Sequence, residues 1–137
     1  MEAPPVTRFS AIAMLTLTLV AGCAGGTPPA TLTVLASGAH CGAAEPGASW
    51  IDAGAGRLRV SLGQRPSAGY GLEPASDALR RRGDTLHVRL RVTAPAAGAM
   101  VAQVLTRPCL DLQVSATDYR RIIVETEAGE ILGVMAR

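Results

Sequence analysis

Apolar and polar residues alternate without a break from Leu86 to Val92, where Leu86, Val88, Leu90 and Val92 interleave with His87, Arg89 and Arg91. A period of two places successive side chains on opposite faces of a strand, so this stretch predicts a strand with one apolar face. The pattern recurs at Leu58, Val60 and Leu62 against Arg59 and Ser61, and at Leu110, Leu112 and Val114 against Asp111 and Gln113. Thr31–Leu35 is rich in β-branched residues, and Arg120–Thr126 and Ile131–Met135 also read as strands. Met100–Leu105 (MVAQVL) is a continuous apolar run, which predicts a strand buried on both faces. Trp50-Ile51 reads as an apolar plug, its indole N–H needing one partner.

Between these runs lie turn-forming residues: Ser37–Gly47, Gly63–Gly69, Ala94–Gly98, Thr117–Tyr119 and Glu127–Glu130. Pro74 disfavours a central, fully paired position. Ser76–Arg82 admits two readings. Ser76 could cap a helical turn ended by Gly83, or Leu79–Arg81 could finish a strand that turns back at Arg82-Gly83-Asp84. The hairpin is preferred because the next segment is so plainly a strand. The whole predicts an all-β domain over residues 31–137. It would be a small antiparallel β-sandwich or barrel-like meander of about six to eight short strands pairing onto Leu58–Leu62.

Composition narrows the function more than the fold. The chain has 137 residues, enough for one domain. Beyond Phe9 its aromatics are Trp50, Tyr70 and Tyr119, so the core must be built from aliphatic residues. All 13 basic residues are arginine and the formal charge is only +2, which gives no electrostatic case for nucleic acid or an acidic partner. Stacking aromatics on a basic surface are missing as well. No phosphate-cradling or dinucleotide fingerprint occurs, so neither a small-molecule substrate nor a cofactor is expected.

Residues 1–22 read as an address. Arg8 precedes an apolar run of about a dozen residues that meets Val20-Ala21-Gly22-Cys23, the layout of a secretory signal peptide. The run is too short to span a bilayer as a mature helix. Val-Ala-Gly-Cys resembles the lipobox of bacterial lipoproteins. That resemblance implies cleavage before Cys23, lipidation of Cys23, and anchoring of the chain to the membrane. Ala24 after the cysteine implies the outer membrane, facing the periplasm. Residues 23–30 are small and uncharged and read as a flexible tether.

With Cys23 lipidated, Cys41 and Cys109 remain. An even pair in an exported chain is most simply a disulfide, the alternatives being two buried thiols or one reactive thiol. His40 adjoins Cys41, but neighbours on extended chain point to opposite faces, so they are badly placed to share a proton. Two histidines and a paired cysteine couple do not offer metal-ligand spacing. Asp111 and Glu125 read as lone outward carboxylates on different strands, which leaves no acid–base pair. The chain is therefore expected not to be an enzyme.

From Leu58 onward the order of features looks like the C-terminal domain of PrcB, an accessory lipoprotein of a bacterial protease complex. The resemblance rests on the loop Gly63-Gln-Arg-Pro-Ser-Ala-Gly-Tyr70, on Gly83-Asp84 before the alternating strand, and on Pro95, Val101–Leu105 and Pro108. It covers residues 58–115 and departs at Ser67-Ala68, where the family prefers Thr-Gly. It implies a non-catalytic binding module that accompanies an envelope protease. Arg65, Pro66, Ser67, Gly69 and Tyr70 form the candidate partner-binding loop; the preferred alternative is a turn needed only to fold, with Gly69 supplying a backbone angle other residues resist and Tyr70 packing back on the sheet. The same loop, with Arg107-Pro108-Cys109, is similar to chagasin-like inhibitors of papain-type proteases, although Cys109 stands where that family carries a tryptophan. A purely structural envelope lipoprotein is the third expectation.

Overall fold

The computed structural model describes residues 25–26 and 28–137, so the leader and Cys23 lie outside the described residues. Eight strands follow in chain order: β1 (Leu32–Gly38), β2 (Pro46–Asp52), β3 (Arg57–Leu62), β4 (Gly71–Arg82), β5 (Thr85–Thr93), β6 (Cys109–Val114), β7 (Arg121–Thr126) and β8 (Ile131–Ala136). No helix occurs among the described residues. One sheet has the order β1-β6-β3-β2 and the other β4-β5-β7-β8.

The alternating residues do what period-two burial requires. Leu58, Val60 and Leu62 from β3 and Leu110, Leu112 and Val114 from β6 meet Leu86, Val88 and Leu90 from β5 and Ile122 and Val124 from β7 in one core. Each sheet thus hides one apolar face against the other, the arrangement of a sandwich. The four strands named are the central pair of each sheet, which is why their inward residues are the most completely buried.

The chain is not a meander, and its strands do not all pair onto β3. β3 pairs only with β2 and β6. The chain crosses to the second sheet at β4, returns for β6, and crosses again at β7. As a result β5 and β7 lie side by side in parallel, Leu86 opposite Ile122 and Val88 opposite Val124. Parallel neighbours need a long crossover rather than a tight turn, and here β6 supplies it from the opposite sheet.

Ser76–Arg82 is strand, not a helical turn. β4 runs to Arg82 and turns through Gly83, whose φ is +62°, into β5. Pro74 is tolerated because β4 is an edge strand, and the register shifts just after it. The Trp50-Ile51 plug is half correct. The Trp50 indole packs on the core and donates Nε1–H to the Ala136 carbonyl at 2.8 Å, whereas Ile51 is exposed. Both belong to β2, a strand hidden in sequence by its Pro46-Gly47 start.

Met100–Leu105 overturns the expectation most clearly. It forms no strand, and Met100, Val104 and Leu105 are exposed, Met100 completely. The sandwich closes along one side where β8 meets β2. A Cβ on Gly133 would lie 2.9 Å from the Ala48 Cβ, so the absent side chain lets the two edges approach.

The outward carboxylates are paired, not lone. Asp111 accepts two hydrogen bonds from Arg59, at 2.7 and 2.8 Å, across the β3–β6 ladder. The Arg59 guanidinium, chiefly through these bonds, holds the Asp111 carboxyl below the usual carboxylate range. The folded state therefore binds fewer protons than the unfolded chain around the ordinary carboxylate pKa. This stabilisation is complete above the unfolded value and is lost as pH falls through the depressed folded one. Acid titration of unfolding should show Asp111→Asn losing stability at neutral pH, with the gap to wild type closing as the solution is acidified. A gap that stays constant with pH would refute the linkage.

Candidate functional site

The loop predicted to face a partner, Gly63 to Tyr70, connects β3 to β4 and is pinned by hydrogen bonds at Gln64, Arg65, Ser67 and Ala68. Arg65 and Thr106 exchange backbone hydrogen bonds of 2.8 and 2.9 Å. Gln64 N–H reaches the Ala44 carbonyl at 2.8 Å, and Ala68 N–H the Ala102 carbonyl at 2.9 Å. The buried Thr106 hydroxyl donates to the Ser67 carbonyl at 3.1 Å. These bonds satisfy backbone groups that a buried loop would otherwise leave unpaired.

Two glycines make the path possible. Gly63 and Gly69 have φ of +82° and +93°, which side-chain-bearing residues resist. A Cβ on Gly69 would lie 2.9 Å from Pro95 Cγ, so this loop sits directly against the turn that follows β5.

Of the five loop residues expected to face a partner, the structure exposes Pro66 and Gly69 and turns Ser67 inward. Ser67 is buried and its hydroxyl contacts the Ala68 carbonyl, so it supports the loop rather than presenting it. Arg65 is half-buried. Its Nη2 donates to the Leu62 carbonyl at 3.1 Å, and its guanidinium lies 5.7 Å from the centroid of the Tyr70 ring. Tyr70 in turn packs against the core.

The Cys41–Cys109 disulfide is present, with a Cα–Cα distance of 5.5 Å. It ties the β1–β2 loop to the start of β6. Around it Gly42 N–H donates to the Arg107 carbonyl at 2.9 Å, Arg107 N–H to the Ala39 carbonyl at 2.7 Å, and Leu62 N–H to the Pro108 carbonyl at 3.0 Å. Three loops, 39–45, 63–70 and 94–108, are thus joined into one end of the sandwich.

The feature that sequence reasoning missed is what this end displays. Residues 100–105 cross it outside any strand, exposed except for the half-buried Val101, and are held at Ala102 and at Thr106 by the Gly63–Tyr70 loop. The exposed arm carries Met100, Val104 and Leu105 and has no charged residue. An apolar run was a correct reading, but hydrophobicity alone does not distinguish a buried strand from an exposed segment. His87, Glu125, Arg89 and Asp77 converge on the outer face of the second sheet, with His87 Nδ1 3.5 Å from Glu125 Oε1. Arg89 makes cross-strand ion pairs there with Asp77 and Glu125.

The loop, the arm and the strands that frame them fall in one continuous stretch. Residues 58–115 match the PrcB C-terminal family. The matched stretch runs from β3 through β6 and holds the whole joined end except the 39–45 loop, so Cys109 lies inside it and its partner Cys41 outside. No curated protein and no solved structure matches the chain.

Proposed function

We propose that the chain is a non-catalytic envelope lipoprotein whose joined loop end grips a protease as an accessory, stabilising subunit. The observation that carries this reading is the exposed, uncharged arm of Met100, Val104 and Leu105, held on a rigid base within the stretch that matches the PrcB C-terminal family. A backbone already pinned at Ala102 and Thr106 has less conformational freedom to lose when a partner covers it. Cleavage before Cys23 and lipidation there would keep the module on the outer membrane, facing the periplasm.

Direct inhibition of a papain-type protease is the weaker reading. Cys109 is buried and bonded to Cys41, so it cannot supply the contact that a tryptophan makes at the corresponding position of chagasin-like inhibitors. A hot-spot contact of that kind is dominated by a large exposed side chain.

Affinity capture with the full chain from its own envelope tests the proposal. The expected result is co-purification of a protease whose level falls when this chain is deleted. Inhibition of a papain-type protease by the purified chain would favour the inhibitor instead. Recovery of no partner, with protease levels unchanged on deletion, would leave a structural lipoprotein.

A further inference from the structure

The formal charge of +2 conceals a segregation along the long axis of the sandwich. At the end opposite the joined loops lie the start of β1, the 53–56 turn, the Gly83-Asp84 hairpin, the 115–120 loop and Arg137. The register places them together. Leu32 opposes Val114, Arg57 opposes Gln113, and Thr85, Arg121 and Ala136 are successive partners across the second sheet. Arg137 joins the two sheets at this end, donating to the carbonyls of Ala116 at 3.0 Å and Gly54 at 3.4 Å.

The side chains here are six arginines, Arg57, Arg81, Arg82, Arg120, Arg121 and Arg137, against Asp52, Asp84 and Asp118, an excess of three positive charges. Arg57, Arg82 and Arg121 are exposed and form no ion pair among the described residues. Arg82 and Arg121 both flank Thr85 in register, two strands apart and so about 10 Å from each other on one face. The opposite end, counting the β7–β8 turn beside the joined loops, has a slight excess of the other sign, Glu45, Glu73, Glu127 and Glu130 against Arg65, Arg91 and Arg107.

The tether enters at the arginine end. Thr31 and Ser115 exchange hydrogen bonds, and Pro28 and Pro29 line a shallow cavity with Ser115–Asp118. From Cys23 to Thr31 the chain spans at most about 28 Å even if fully extended. We propose that this arginine end rests on anionic lipid headgroups, turning the loop end away from the bilayer toward its partner. The inference rests on the anchoring of Cys23, which limits the reach of the module. A lipid anchor with a basic patch is the two-signal arrangement that membrane surfaces retain.

Trp50 is the sole tryptophan, and its indole bonds Ala136 at this end. It can therefore act as an energy donor to dansyl-labelled headgroups. The full chain, purified from the envelope and reconstituted, should float with vesicles of phosphatidylcholine alone and with vesicles containing phosphatidylglycerol. Transfer from Trp50 should be about twofold higher on the anionic vesicles and fall to the neutral value at ~0.5 M salt, where the Debye length shrinks to a few ångströms. The triple variant R57Q/R82Q/R121Q should lose the difference. Asp84→Asn, which removes an opposing charge without touching the core, should enlarge it.

Equal transfer on both vesicle types, or transfer insensitive to salt, would overturn the inference while leaving the anchor intact. Failure to float with either vesicle, with an unmodified Cys23 by mass spectrometry, would remove the anchor and this inference with it. Salt-sensitive binding of duplex DNA by the full chain, with the two vesicle types indistinguishable, would also overturn it.

Discussion

Replacing Met100, Val104 and Leu105 together by serine should abolish capture of the partner while leaving the domain folded. The three side chains are exposed and contribute nothing to the shared core, so thermal unfolding should change by less than about 0.5 kcal/mol per site. The loss in binding should be far larger. Removing a cluster of apolar contacts from the centre of an interface costs about 2 kcal/mol or more, which is at least thirtyfold in affinity. Pull-down alongside far-ultraviolet dichroism separates the two effects. Capture that survives the triple substitution would remove the arm from the interface.

Removing the disulfide should have the largest effect on stability. Cys41 and Cys109 are 68 residues apart in the chain. Chain-entropy arguments assign a loop of that length about 4 kcal/mol, a large share of what holds a small domain together. For a domain of this size that corresponds to a fall in Tm of roughly 15–25 °C. The variant C41A/C109A, or the wild-type chain under reductant, should show it. Reduction should also loosen the arm before the rest of the sandwich, because the bonds at Ala39, Gly42 and Arg107 are organised around the bridge. Melting curves that coincide with and without reductant would contradict this.

The contrast between these two regions shows what a sequence can disclose. The strands β3, β5 and β6 were legible because their inward residues alternate strictly, and burial on one face leaves that mark directly in the order of residues. The disulfide was legible because setting Cys23 aside leaves Cys41 and Cys109 as a pair in a chain read as exported. The hairpin at Gly83-Asp84 was legible because a turn is a local event.

The parallel neighbours β5 and β7 were not legible, since which distant strand lies beside which depends on core shape and crossover geometry rather than on local pattern. β2 was masked by Pro46-Gly47, residues that favour turns but are accepted at the start of an edge strand. The arm was misplaced because an apolar hexapeptide carries no signal that tells the interior from the exterior. The pairing of Asp111 and Glu125 with arginines required knowing which strands are neighbours. Likewise Ser67, in a loop correctly located, proved to be an internal support once Thr106 was found beside it.

Hydrogen–deuterium exchange on the captured complex tests most directly the idea that one braced end of the sandwich does the gripping. Amides of residues 64–70 and 99–107 should exchange at least tenfold more slowly in the complex than in the free chain, while those of 53–56 and 83–84 stay unchanged. If the arm and its supporting loop exchange as fast in the complex as alone, and protection falls elsewhere, the partner is held by another face.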